Sequence, residues 1–207
     1  MMKDIIPNTI FQVWFKIDKD LEECEWAFKN QKSWKDYAKK NGFNYNLITD
    51  SNVDLYVPSN LREFFDELKT TFHKIDFIRY IVLNQEGGVY IDIDMEPDLE
   101  NNLSDLLELN YIIGGWLNKK GLMEISNSVV GGRAGQFDSL IKYSMSEYKK
   151  KLNMKFYQCA KVRFFKQTCG VLMFKRWCRK NKINMTPELS KYMTDQERCS
   201  WIKIGLG

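Results

Sequence analysis

The chain has 207 residues, of which 44% are hydrophobic, 14% aromatic and 28% charged, with a net charge of +4; such values exclude a disordered chain, a collagen-like repeat and a coiled coil. This length suits one domain, and surface scaling has about 70% of the extended chain's surface buried on folding, enough for a core without staples. No apolar run reaches the ~20 residues of a bilayer span, and five cysteines without C-x-x-C spacing beside a single histidine, His73, exclude a disulfide frame and a histidine-rich zinc site.

At the N-terminus, Ile5–Phe15 carries Pro7, Asn8, Thr9 and Gln12 where a secretory signal would be apolar, so no signal is visible and a cytoplasmic protein is expected. Ile10–Phe15, β-branched after a proline, predicts the first strand. Asp20–Lys40 has helix-forming composition closed by Asn41-Gly42, and Phe43–Ile48 alternates as a strand. Asn60–Leu68 and Lys74–Asn84 predict helices, the second ended by Gly87-Gly88, with Val89–Met95 following as a strand. Further strands are predicted at Tyr111–Gly115 and Ser126–Gly131, and helices at Gln136–Lys150 and Val171–Lys180. Alternation of this kind argues for an α/β sheet with helices on its faces, and no repeat or linker interrupts it. Residues 142–182 hold 13 basic and one acidic side chain, against 15 and 23 in residues 1–141. A segment so charged is either a solvated face or the seat of an anionic partner: nucleic acid, a phosphorylated ligand or a membrane surface.

Two adjacent segments carry chemistry. Lys74–Leu83 is apolar almost all round, as a buried helix is, yet it places Asp76 and Arg79 three residues apart on one face. Charges in such a helix either pair with each other or meet a polar ligand, because burying them alone is costly. In Gly88–Pro97 strict alternation predicts Val89, Ile91, Ile93 and Met95 on one face and Tyr90, Asp92, Asp94 and Glu96 on the other. Carboxylates roughly 6.5–7 Å apart repel unless a cation or donor lies between them. Oxygen ligands of this kind suit Mg²⁺ or Mn²⁺, whose shell is completed by water and substrate phosphates; a polar outer strand face is the plain alternative. Pro97 at the sixth position from Asp92 excludes an EF-hand, and His73 without G-x-S-x-G excludes a serine-type triad and reads as a surface or packing residue.

The blocks Ile6-Pro7-Asn8-Thr9-Ile10-Phe11-Gln12-Val13-Trp14, Lys74-x-Asp76-x-x-Arg79-Tyr80-x-x-Leu83 and Gly87-Gly88-Val89-Tyr90-x-Asp92-x-Asp94 together resemble the D-x-D sugar-binding-region glycosyltransferases, closest to the capsular-polysaccharide type of glycosyltransferase family 32 and more distantly the clostridial glucosylating toxins. The resemblance implies a single GT-A, Rossmann-like α/β domain with a mixed, mostly parallel sheet. Residues 1–100 would handle the nucleotide sugar and 101–207 the acceptor side. It implies a nucleotide-sugar donor, a UDP-sugar before a GDP-sugar, a glycan or a lipid-linked or protein acceptor, and Mn²⁺ or Mg²⁺ as cofactor. Carried over by position, Val13 and Trp14 match the residues that hold the nucleobase. Asp76 and Arg79 match the pair on the sugar and diphosphate, and Tyr90 the aromatic beside the ribose. Asp92 matches the residue near sugar and metal, Asp94 the direct metal ligand, and Asn127 the asparagine of a later strand. Near the C-terminus, where relatives often carry histidine, Glu197, Ser200 and Trp201 stand as the residues to close over metal and diphosphate. No catalytic base is implied. A monomer or weak dimer without nucleic acid is expected, with the basic segment touching an anionic membrane. A metal-dependent phosphodiesterase or nuclease, and a non-catalytic module for anionic glycan or membrane, remain the competing readings.

Overall fold

The computed structural model describes residues 5–17, 19–117, 122–152 and 168–195. Its centre is a five-stranded sheet in the order β2-β1-β3-β6-β5, formed by β1 (Thr9–Trp14), β2 (Asn44–Thr49), β3 (Gly88–Ile91), β5 (Ile112–Leu117) and β6 (Met123–Gly132). β1 pairs parallel with β2 and β3, while β6 pairs antiparallel with β3 and β5, so four strands run one way and β6 against them. A two-stranded antiparallel ladder joins β4 (Met95–Pro97) to β7 (Met193–Asp195).

The helices are α1 (Glu25–Asn41), α2 (Ser59–Asp66), α3 (Thr71–Glu86), α4 (Asp138–Leu152) and α5 (Val171–Lys180). α1 ends where predicted, on Gly42 in the left-handed conformation (φ 73°), whose N–H bonds to the Ala38 carbonyl. It buries the stripe Ala27, Asn30, Trp34, Tyr37 and Ala38. α3 is capped by the Thr70 hydroxyl, which accepts from the His73 N–H, and is buried all round from Asp76 to Leu83. One core lies where Phe64, Phe77, Ile81, Leu140 and Phe174 meet Phe11, Tyr90 and Val130. The other packs Trp34, Tyr37 and Ala38 against Ile10, Val89, Ile91 and Val129. The sheet is thus covered on both faces, as its parallel strands require.

Two sequence expectations are corrected. Val89–Met95 is not one strand: the Asp92 carbonyl accepts from the Met95 N–H at 3.1 Å, closing a turn over Asp92–Met95 that suits aspartate-rich sequence. The 6.5–7 Å spacing of an extended strand therefore does not apply to Asp92 and Asp94. Nor has β3 a polar outer face, since all four of its residues are buried. It runs between β1 and β6 with a core on each side, so Tyr90 faces α3 rather than water. Its close approach to β1 depends on Gly88 (φ 116°), where a Cβ would fall 2.6 Å from the Thr9 carbonyl oxygen.

Candidate active site

The expected residues gather at the C-terminal ends of β1 and β3, the edge where parallel α/β sheets receive ligands. Trp14 is the last residue of β1, Asp92 follows β3, Asn127 lies in the first half of the antiparallel β6, and Asp76 and Arg79 are on the second and third turns of α3. The Arg79 guanidinium is the hub. Its Nη2 lies 2.7 Å from Asp76 Oδ1 and 3.3 Å from Asp92 Oδ1, and its Nη1 donates to the Asn127 carbonyl at 2.6 Å. Its plane stands 4.3 Å over the Tyr90 ring. Asn127 Nδ2 donates to Asp76 Oδ1 at 2.8 Å and to the Tyr80 hydroxyl at 3.1 Å; that hydroxyl donates to the Cys169 carbonyl at 3.0 Å. Asp76 and Arg79 thus pair with each other, one of the two outcomes that the sequence left open, and they also meet Asn127 of β6 and Asp92 just after β3.

Burial shapes the electrostatics. The Asp76 carboxyl is pushed up by desolvation, with Arg79 and Asn127 pulling against it. Burial alone would lower Arg79, but Asp76 and Asp92 hold it above its ordinary value, so it is a permanent cation. Desolvation raises the Tyr80 and Tyr90 phenols well above their ordinary value, and both stay protonated donors. Among the described residues only two buried side-chain polar atoms lack a hydrogen-bond partner: Trp14 Nε1 and Asp76 Oδ2. Both belong to residues expected to touch the donor.

The remaining expected residues fall as follows. Val13, expected to hold the nucleobase, is 3% exposed and packs in the core. Trp14 is half-buried, edge-on to Trp26 with ring centroids 6.3 Å apart. Tyr90, expected beside a ribose, is 1% exposed; its ring lies under Arg79 and its hydroxyl donates to Asp92 Oδ1 at 2.6 Å. The Asp92 side chain is 29% exposed, and Asp94 is half-buried in the turn. Glu197, Ser200 and Trp201 lie outside the described residues. Among those described, no three His, Cys, Asp or Glu side chains converge into a metal cage. His73 is a packing residue, 1% exposed and hydrogen-bonded to the Thr70 and Thr168 hydroxyls.

Sequence reasoning missed the residues behind the turn. Gln12, 0% exposed on β1, donates from Nε2 to the Asp92 carbonyl at 3.4 Å and accepts from the Tyr45 hydroxyl at 2.8 Å. Asn30 Nδ2 donates to the Ile93 carbonyl at 3.1 Å and Trp34 Nε1 to the Met95 carbonyl at 2.8 Å. A glutamine inside an apolar strand, and a polar group one turn before a tryptophan on the buried stripe of a helix, were the available signals.

Comparison with known proteins bears on the family and the fold. Residues 8–111 match the family described as glycosyltransferase sugar-binding region containing DXD motif. An uncharacterized glycosyltransferase of Acanthamoeba polyphaga mimivirus is 30% identical over 151 residues, which cover 67% of this chain and 55% of that protein. A mannosyl phosphorylinositol ceramide synthase of Saccharomyces cerevisiae is 33% identical over 113 residues, covering 52% of this chain and 28% of the synthase. The chain therefore spans about half or less of the length of these relatives. Among solved structures, PaToxG glycosyltransferase superposes with a TM-score of 0.55 at 16% identity, over 86% of this chain and 70% of its own, a likeness of fold. The three blocks of sequence, the edge at which the fold assembles them and the family match coincide: this chain belongs to the glycosyltransferase sugar-binding regions containing the DXD motif, on a GT-A fold.

Proposed function

We propose that the chain transfers a sugar from a nucleotide-sugar donor, a UDP-sugar before a GDP-sugar, to a hydroxyl of a glycan or of a lipid-linked or protein acceptor. The observation that carries this reading is the buried Asp76–Arg79–Asn127–Asp92 network at the sheet edge, with the partnerless Asp76 Oδ2 and Trp14 Nε1 beside it. Asp76 Oδ2 is an acceptor suited to a sugar hydroxyl, and Trp14 offers its indole to the base. Arg79, fixed by four partners, contributes positive charge that needs no reorganisation as charge builds on the departing diphosphate. The donor set fits Mn²⁺ or Mg²⁺, with Asp94 and Asp92 as ligands, because such ions take one or two carboxylates and leave further positions to phosphates. When bound, the ion supplies Lewis-acid stabilisation of the leaving group. Residues 1–100 would serve the donor and the later residues the acceptor. The mannosyl unit in the yeast relative's name puts mannose among the sugars to be tried.

Quenching of tryptophan fluorescence by UDP or GDP with Mn²⁺ tests the assignment. Wild type is expected to quench, Asp94→Ala to lose the Mn²⁺-dependent part, and a panel of UDP-, GDP- and dTDP-sugars to show Mn²⁺-dependent donor hydrolysis with at least one member. Quenching that ignores both metal and Asp94 would refute it.

The acceptor side adds a surface. Lys149 and Lys150 of α4 and Arg176, Arg179 and Lys180 of α5 are exposed, and the two helices are joined by Arg176 and Glu147 at 3.3 Å. This basic face suits peripheral contact with an anionic membrane that carries the acceptor; among the described residues no helix is long and apolar enough to cross one. Co-sedimentation with anionic but not neutral vesicles is expected, and equal partition between them would remove the idea.

A further inference from the structure

Asp92 and Asp94 sit in a turn, not in a ladder. A buried turn's carbonyls need partners beyond its single closing bond, here from the Met95 N–H to the Asp92 carbonyl. In this chain three side chains supply them. Gln12 reaches the Asp92 carbonyl, Asn30 the Ile93 carbonyl and Trp34 the Met95 carbonyl. The Asp92 N–H is separately bonded to the Ser128 carbonyl at 2.7 Å. Asn30 and Trp34 are one turn apart on α1, and Trp26, one turn earlier still, meets Trp14. One helix stripe therefore touches the base-side indole at one end and the backbone of both metal-side aspartates' turn at the other.

We propose that Asn30 and Trp34, backed by Gln12, are positioning residues that set the aim of Asp92 and Asp94 by holding their backbone from behind. None of the three is itself a ligand. Asn30 Nδ2 and Trp34 Nε1 are buried and already donate to carbonyls of the turn, whereas Asp76 keeps an oxygen without a partner. The Asn30 and Trp34 hydrogen bonds reach the Ile93 carbonyl, between the two carboxylates, and the Met95 carbonyl, just after the second. Carboxylates fixed in this way pay less ordering entropy on binding a cation, and groups that orient metal ligands typically change affinity by roughly 10–100-fold when removed. The inference rests on the functional reading above, because it concerns the same metal.

The control is on the same helix. The Tyr37 hydroxyl donates to the Asn101 carbonyl at 2.9 Å and accepts from the Leu103 N–H at 2.7 Å, bonds of the same burial that do not touch the turn. The experiment compares Asn30→Ala, Trp34→Phe and Tyr37→Phe in the full chain. It measures the Mn²⁺ dissociation constant by electron paramagnetic resonance with UDP or GDP present, the amide hydrogen exchange of residues 92–95, and Tm. Asn30→Ala and Trp34→Phe should weaken Mn²⁺ by about 10-fold or more and speed exchange at residues 92–95. Tyr37→Phe should lower Tm while leaving Mn²⁺ affinity within about twofold. Trp34→Phe keeps an aromatic ring in the core, and Asn30→Ala, a smaller change, covers the case in which Trp34→Phe fails to fold. Wild type that binds no Mn²⁺ with either nucleotide overturns the functional reading and this proposal with it. Mn²⁺ binding that both variants leave intact, or that Tyr37→Phe weakens equally, overturns this proposal alone.

Discussion

Arg79 shows how a charge becomes tolerable inside a helix that is otherwise apolar. Its guanidinium is 5% exposed yet meets two carboxylates, a carbonyl and an aromatic face, so its removal leaves Asp76 buried with no countercharge. Arg79→Ala is expected to cost about 3 kcal/mol in urea unfolding, and Asp76→Asn in the same background to restore a good part of it; the double-mutant cycle measures the coupling. His73 gives a pH dependence of different origin. Burial pushes its imidazole down to about 4 from the ordinary 6.5, so between those values the unfolded chain binds more protons than the folded one. Stability from this residue is fully present above pH 6.5 and is lost as pH falls through 4, about 3 kcal/mol in all. Because the raised Asp76 carboxyl works in the opposite direction over this range, the test is the difference between variants: from pH 7 to pH 4.5 the wild type should lose about 3 kcal/mol more unfolding free energy than His73→Gln. At this scale the sequence exposed Asp76, Arg79, Asp92 and Asp94 because charge in an apolar context is conspicuous. Gln12, Asn30 and Tyr80 were not conspicuous, since their value lies in partners 63 to 89 residues away.

Among elements, helices were the easier reading. α5 spans Val171–Lys180 as predicted, and α1 stops at Gly42, because periodicity, capping and breaker residues are local signals. α3 is longer at both ends than Lys74–Asn84, since Thr70 caps it earlier and Gly87 (φ 68°) ends it later. The strand after it was misread for a nonlocal reason. Alternation of Asp92, Asp94 and Glu96 with apolar residues fits an exposed-face strand, but β6 and β1 close on β3, and the chain turns out of the sheet at Asp92. Gly88 tests how tight that closure is: Gly88→Ala should lower stability by about 2 kcal/mol, from a strained backbone and from contact with the Thr9 carbonyl, read as a drop in Tm. Substitution at Gly42, which has open space around its missing Cβ but a left-handed φ, should cost less.

For the whole molecule, the two cores share one sheet: Phe11 and Tyr90 face one, Ile10 and Val89 the other. Strands common to both layers cannot unfold for one alone, so far-ultraviolet circular dichroism and tryptophan fluorescence should report a single coincident urea transition, with Trp34→Ala on one face and Phe77→Ala on the other each shifting it by about 3–5 kcal/mol. Two separated transitions would divide the chain into independent units. The α/β class, the helices and the uneven charge were determined by sequence, which also singled out the residues expected to carry chemistry, because composition, periodicity and the order of motifs are properties of the chain itself. Only the tertiary structure decided that Asp76, Arg79, Tyr90, Asp92 and Asn127 form one network, that the D-x-D aspartates sit on a turn, and that α1 grips that turn from behind. Those facts depend on pairings across the sheet between residues far apart in sequence, where the winning contact is set by the space left by every other element, and no local pattern records it.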